Sequence, residues 1–317
     1  MNETKSARVV VVGSTNFDVV VKAARMPKEG ETLVASNLQF FAGGKGANQA
    51  VAAARLGAKT TMVSAVGQDS MGESLIQGLN ANEVDTTWFK RDAAQRTGFA
   101  FIMVFPTGNN GIVVEPAANM SLMPADVERA AEAITAADVV TTVMEIPLDA
   151  VEAALRLGRR AGKITVLDAG PPQRCPAEIL KLADVVSPNE TELEALTGEE
   201  VSGRVSAEKA ARKLLDLGVK TVVLKLGSDG SMLVTREVTK HFPAYKVTAV
   251  DPTAAGDAFT AALAVQLGSG ASLEAAIRYA NCVGALTVTK LGAQPSLPTR
   301  AEVEAFIASQ PTSPLGS

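Results

Sequence analysis

The sequence predicts a doubly wound α/β fold with a mainly parallel sheet and helices on both faces, on three observations. Short β-branched runs alternate with alanine- and leucine-rich segments of helical period along most of the chain. Those runs are continuously apolar, the pattern of strands covered on both faces by helices. Two stretches break the rhythm, and both read as strands lying outside the main sheet.

In chain order, strands are expected in RVVVVG, TMVSAVG, DVVTTV, KITVLD, DVVSPN and KTVVLKLG, each followed by a helical segment. The interruptions are Asn16 to Phe41 and Thr97 to Glu115, the second with TGFAFIMVF and GIVVE flanking the turn PTGNN. Drawn from about residues 16–42 and 96–117, they are expected to form a small antiparallel β sheet over the main sheet's edge, as a lid. Residues 1–310 are expected to make one domain, and 311–317, PTSPLGS, a disordered tail.

Composition removes several classes of function. The 317 residues are 47% hydrophobic, enough for one large core or two small ones. A formal charge of −4 and 4% aromatic residues argue against a nucleic-acid partner, which calls for a basic patch and stacking side chains. No apolar run approaches the roughly 18–20 residues of a membrane span. The start, MNETKSARVV, lacks a signal peptide's basic and then apolar layout, so a cytoplasmic protein is expected. Cys175 and Cys282 lie far apart, without the spacing of a zinc site or a disulfide framework. With one histidine, His241 in what reads as a polar TKHFP loop, a Ser/His/Asp triad or multi-histidine metal centre would rest on that residue alone.

Four motifs carry chemistry. After the first strand, GSTNFDVV lacks the second glycine of a dinucleotide fingerprint, and no P-loop occurs: AGKIT has isoleucine after its lysine and LGAKTT has alanine before its own. What the strand end offers is Asn16 and Asp18 on one side of an extended backbone, an amide and a carboxylate able to chelate a vicinal diol. A polar turn is the plainer reading. In FFAGGKGANQA, Gly43, Gly44 and Gly46 precede an alanine-rich helix whose N-terminal amides face outward, with Lys45 adding a charge and Asn48 an amide. A flexible connection explains one or two glycines; close approach of a polyhydroxylated or anionic ligand explains all three.

In SPNETELEALTG, Ser187, Pro188 and Glu190 match an N-cap, a first-turn proline and a capping-box partner. Asn189 and Glu192 are left over, expected to point into the crevice beyond the strand ends, where magnesium on phosphates could use them through water. In AVDPTAAGDAFTAALAVQLGSG, the small residues Ala254, Ala255 and Gly256 let successive amides line an anion nest at a helix N-terminus. Asp257 at its rim can take a proton from an attacking hydroxyl, and the helix dipole is expected to lower its pKa. An ordinary helix start, with Asp257 as a first-turn acid, is the alternative.

Together these residues resemble the ribokinase family within the larger PfkB carbohydrate kinase group, over almost the whole chain from VVVVGSTNFD to GAQPSLP. GGKGANQA is similar to ribokinases specifically, whereas PNETE and AAGD belong to the wider group. The resemblance implies transfer of the γ-phosphoryl of magnesium-ATP to the 5-hydroxyl of D-ribose. It implies that Asn16, Asp18, Gly44, Lys45, Asn48 and Glu145 hold the sugar, that Asp257 is the base, and that the amides of Ala254 to Asp257 form the anion hole. Asn189 and Glu192 would serve magnesium and phosphates, Lys225, Gly227 and Ser228 would lie along the nucleotide, and Asn281 near the adenine. An activating potassium ion would sit between Asp251 and Thr253 on one side and Thr287, Lys290, Gly292 and Ser296 on the other. Family members often dimerise through the lid, which implies a homodimer.

Three positions depart from the family's pattern: Pro252 where threonine is usual, Lys225 where some members have threonine, and Asn281 where some have histidine. Pro252 stiffens its loop and removes an N–H. The alternatives are a related kinase for deoxyribose, fructose or a nucleoside, a non-catalytic sugar-binding regulator, and a dinucleotide oxidoreductase. Asp257 counts against the regulator, since binding alone needs no proton acceptor, and the missing glycine fingerprint counts against the oxidoreductase.

Overall fold

The computed structural model describes residues 5–106 and 110–310. The main sheet contains β1 (Arg8–Val12), β4 (Lys59–Gly67), β5 (Val84–Asp92), β8 (Val139–Val143), β9 (Ile164–Asp168), β10 (Val185–Ser187), β11 (Val222–Lys225), β12 (Ser231–Val234) and β13 (Thr239–Phe242). Its order is β13-β12-β11-β10-β9-β8-β1-β4-β5, parallel from β11 to β5 and antiparallel at β11-β12-β13. A second sheet, in the order β3-β2-β6-β7, comprises β2 (Asn16–Lys22), β3 (Ser36–Gly43), β6 (Gly98–Val104) and β7 (Asn110–Glu115).

β1 shows why its apolar run does not alternate. Val9 and Val11 pack into one core with helices Lys45–Arg55, Ala255–Gly268 and Leu273–Thr287, while Val10 and Val12 pack into another with helices Leu148–Arg160 and Arg204–Asp216. All four valines are 2% exposed or less, so both faces of the strand demand apolar side chains. Each buried valine stabilises the fold by roughly 1.5–3 kcal/mol relative to exposure.

The six expected strands are present. β5 and β13 are additions at the sheet's two edges, where exposure dilutes the apolar signal, and β12 is a short, fully buried addition beside β13. His241 consequently lies within β13, not in a loop, and its ring Nε2 meets the Asp229 carbonyl. The small sheet holds the antiparallel pairs β2–β3 and β6–β7, which join through a parallel seam from Asn16↔Gly98 to Lys22↔Val104. Most of the turn PTGNN and the segment 311–317 lie outside the described residues. Among the described residues no helix is long and apolar enough to cross a membrane.

Candidate active site

The site begins where β1 hands over to β2. Asn16 and Asp18 both turn inward from β2, with Phe17 between them half-buried, as the two-residue period requires. Asp18 Oδ1 is buried with no hydrogen-bond partner among the described residues. Burial, followed by the charges of Glu145 and Asp257, pushes the Asp18 carboxyl up to about 7.

The glycines at the start of helix Lys45–Arg55 have a cause within the chain itself. A Cβ on Gly46 would stand 2.6 Å from Ser14 N, and one on Gly44 2.8 Å from Asn16 N, while Gly44 itself holds φ at 89°. A Cβ on Gly43 would overlap the Asp18 carboxylate. The chain's own packing therefore requires these glycines, and the close approach brings the helix start against the β1–β2 loop. Glu145 Oε2 accepts from Ser14 Oγ at 2.5 Å and Lys45 N at 3.0 Å, tying the turn after β8 to the same point.

Asp257, 4% exposed, lies in the first turn of helix Ala255–Gly268. Its Oδ2 accepts from Asn48 Nδ2 at 2.8 Å, and Lys45 Nζ stands 3.8 Å from its Oδ1, which has no hydrogen-bond partner among the described residues. The expectation that the helix dipole lowers this carboxyl's pKa is overturned. Burial raises it, Lys45 opposes, Asp168 adds to the rise, and the result is about 6. Burial also works against the charged Lys45 ammonium, but Asp257, Asp168, Glu192 and Glu145 outweigh it and hold Lys45 protonated.

The nest beside Asp257 is only partly open. Ala254 adopts the left-handed conformation at φ 61°, which turns the chain into the helix. Among the described residues no acceptor takes the amides of Ala254, Gly256 and Asp257, but the Ala255 N–H donates to the Pro252 carbonyl at 3.2 Å. Three amides, rather than the expected four, are thus free to meet a ligand.

The cap of helix Glu190–Thr197 also differs from the sequence reading. Asn189, not Ser187, is the N-cap: its Oδ1 accepts from Glu192 N at 2.8 Å, and Glu192 Oε2 accepts from Asn189 N at 2.7 Å. Ser187 ends β10, and Pro188 and Glu190 take no part in the box. The two residues left for ligand chemistry are those the helix uses to start itself. Glu192 is 2% exposed, with Lys45 Nζ 3.9 Å from Oε1 and Lys225 Nζ 3.8 Å from Oε2.

Asn189, Glu192, Lys45, Lys225, Gly227, Ser228, Asn281 and the Ala254–Asp257 turn line one cavity of about 920 Å³. Asn281 Nδ2 donates to the Phe242 carbonyl at 3.2 Å, which orients its amide at the cavity's far end. Of the expected cation ligands, Asp251 and Gly292 meet directly: Asp251 Oδ2 accepts from Gly292 N at 2.8 Å, and Oδ1 accepts from the amide and hydroxyl of Thr253. Thr287 and Ser296 are fully buried, with hydroxyls donating to the Val283 and Ala293 carbonyls, while Lys290 Nζ pairs with Glu302 at the surface.

A carboxylate with a raised pKa thus lies beside free helix amides on the wall of this cavity. The sequence profile described as pfkB family carbohydrate kinase matches residues 6–300. The chain belongs to this family.

Among its relatives, the ribokinase of Staphylococcus aureus (strain COL) is 40% identical over 298 residues, covering 93% of this chain and 98% of the relative. The deoxyribokinase of Salmonella typhi is 36% identical, covering 92% of this chain and 95% of the relative. The solved structure of Arabidopsis thaliana ribokinase complexed with ribose and ATP superposes with a TM-score of 0.88 at 36% identity, covering 95% of this chain and 99% of that one.

In this PfkB kinase two further side chains hold the candidate site residues, and neither was singled out from the sequence. Asn119 Oδ1 accepts from Thr15 N at 2.9 Å, so its amide nitrogen faces Asn16 and donates to Asn16 Oδ1 at 2.7 Å. The Asn16 amide is thereby fixed with its own NH2 directed elsewhere. Nothing in PAANMSL signals this, because the contact joins residues 103 apart. Asp168, fully buried, accepts from Lys225, Gln49 and Thr260. Its signal was available: it ends KITVLD, at the carboxyl edge of a central parallel strand, where open α/β sheets place ligand-binding groups.

Proposed function

We propose that this PfkB kinase transfers the γ-phosphoryl group of ATP to the 5-hydroxyl of D-ribose, giving D-ribose 5-phosphate. The observation that carries this reading is a cluster of buried acceptors without donors among the described residues, Asp18 Oδ1, Asn48 Oδ1 and Asp257 Oδ1, gathered beside the free amides of Ala254, Gly256 and Asp257. Unfilled buried acceptors are costly, and a ligand rich in hydroxyls satisfies them. Asn16, Gly44, Lys45 and Glu145 complete the sugar pocket. Asp257, with a pKa of about 6, is ionised at neutral pH and close enough to the working pH to accept the hydroxyl proton. The three amides stabilise charge on the migrating phosphoryl group.

The nucleotide occupies the cavity along Lys225, Gly227 and Ser228, with adenine toward Asn281. Among the described residues no cluster of three or more His, Cys, Asp or Glu could hold a metal, and Glu192 is already balanced by two lysines. Magnesium therefore enters as part of the ATP substrate, with Asn189 and Glu192 meeting its water shell. The ionised Asp251, whose pKa stays low because Thr253 and Gly292 bonds outweigh its burial, fits a monovalent cation such as potassium at the 251–253 and 287–296 loops. Leu38, Phe40 and Val113 are exposed on one face of the small sheet and Ile112 and Val114 on the other, and these exposed apolar side chains support a lid-to-lid homodimer.

ADP release measured across D-ribose, 2-deoxyribose, fructose and nucleosides tests the substrate. The expected result is the highest kcat/KM on ribose. Activity on a nucleoside or fructose with none on ribose overturns the assignment. The deoxyribokinase relative makes 2-deoxyribose the comparison that decides most.

A further inference from the structure

Lys225 ends β11, and its side chain is 11% exposed. Its ammonium carries three N–H donors. Among the described residues it has one hydrogen-bond acceptor, Asp168 Oδ2 at 3.0 Å, since Glu192 Oε2 stands off at 3.8 Å. The remaining donors belong to a group on the cavity wall, and a Cβ placed on Gly256 would lie 3.7 Å from Lys225 Nζ. The ammonium thus stands against the helix turn that presents the free amides. A largely buried ammonium with unfilled donors is costly unless an acceptor arrives with the ligand.

We propose that Lys225 is a catalytic residue that donates to an oxygen of the phosphoryl group in transit, and that Asp168 is the residue that positions it. This rests on the kinase reading above. In the transfer, the bond from the sugar O5 to phosphorus forms as the bond from phosphorus to the bridging oxygen of ADP breaks. The hydroxyl proton passes to Asp257, and the electron pair of the broken bond stays on the ADP β-phosphate. Lys225 neither gains nor loses a proton. It meets negative charge spread over the migrating group, beside the amides of Gly256 and Asp257.

Asp168 makes no contact with the cavity itself and meets it through Lys225, while its charge also acts at a distance on Lys45 and Asp257. It is fully buried and does not line the cavity. Thr260 Oγ1 at 2.7 Å and Gln49 Nε2 at 3.2 Å share its Oδ2 with Lys225, and Gly170 N at 3.1 Å holds Oδ1. The carboxylate is therefore fixed by three uncharged donors and offers a rigid seat for a flexible lysine. The competing account is a structural ion pair. Buried pairs of that kind are replaced by neutral residues at little cost, whereas loss of one partner is strongly destabilising.

That difference supplies the experiment. Lys225→Met, Asp168→Asn and the double variant are compared with wild type by ribose-dependent ADP formation and by denaturant unfolding. Lys225→Met is expected to lower kcat by about 10²–10³-fold, as removal of one transition-state donor does elsewhere, with the KM for ribose within about three-fold. Asp168→Asn is expected to lower kcat with the same unchanged sugar KM, and to add nothing further in the Lys225→Met background. The double variant regains stability without regaining turnover. Recovery of turnover in the double variant, wild-type kcat in Lys225→Met, or multiplying effects of the two substitutions overturns the proposal. If a single variant fails to fold, the charge-neutral double variant still carries the test. A wild-type enzyme that turns over no sugar refutes the kinase reading and this proposal with it; an active wild type beside an equally active Lys225→Met refutes this proposal alone.

Discussion

Asp18→Asn should make the unliganded protein more stable and its sugar binding worse. The substitution preserves shape beside Gly43 and removes a charge whose Oδ1 has no donor among the described residues. Burial and the charges of Glu145 and Asp257 push the Asp18 carboxyl from 3.8 to about 7. At about 1.4 kcal/mol per pH unit, that displacement corresponds to a ceiling of about 4 kcal/mol for keeping the group ionised in the folded state. The folded protein holds this proton more tightly than the unfolded chain, so stability falls as pH rises from about 4 to about 7, and the full cost is present above that. Asp18→Asn is therefore expected to gain about 1–3 kcal/mol at pH 8, with the gain shrinking toward pH 5. The same variant loses a charge-assisted bond to a sugar hydroxyl, worth about 1.5–3 kcal/mol, or about 10- to 100-fold in the KM for ribose. Denaturant unfolding of the apo protein at the two pH values, with ADP-release kinetics, measures both. Destabilisation at pH 8, a gain independent of pH, or an unchanged KM refutes the reasoning.

Further outcomes follow from the same geometry. Asp257→Asn should lower kcat by about 10²–10⁴-fold while ribose affinity stays within a few-fold, because the amide can still meet a hydroxyl but cannot take its proton; unchanged turnover removes Asp257 from the base role. The pH profile of kcat/KM for ribose should fall on acidification, as Asp18 protonates near about 7 and Asp257 near about 6; a flat profile from pH 8 to 5 contradicts both assignments. Ala254 at φ 61° sits where glycine is at ease, so Ala254→Gly should leave stability equal or higher by up to about 1 kcal/mol, whereas Ala254→Val should lower it by more than that. Thermal unfolding of the pair reads this directly.

The sequence by itself determined the rhythm of strands and helices, the inward pairing of Asn16 with Asp18, and the small-residue entry to the Asp257 helix, because each is written in residues close along the chain. The edge strands β5 and β13 were not legible, since exposure mixes polar residues into their apolar runs, and β12 is a buried run of only four residues. The parallel seam between β2 and β6 was hidden for another reason: local period fixes a hairpin but not which hairpins meet. Tertiary structure alone decided that the GGKG glycines yield to the chain's own backbone, that Asn189 and Glu192 cap a helix, and that burial outweighs the helix dipole at Asp257. It also decided that Asn119 meets Asn16 and that Asp168 seats Lys225, contacts between residues far apart along the chain. Desolvation and the field of neighbouring charges arise only once distant segments pack together, and no window of sequence contains them.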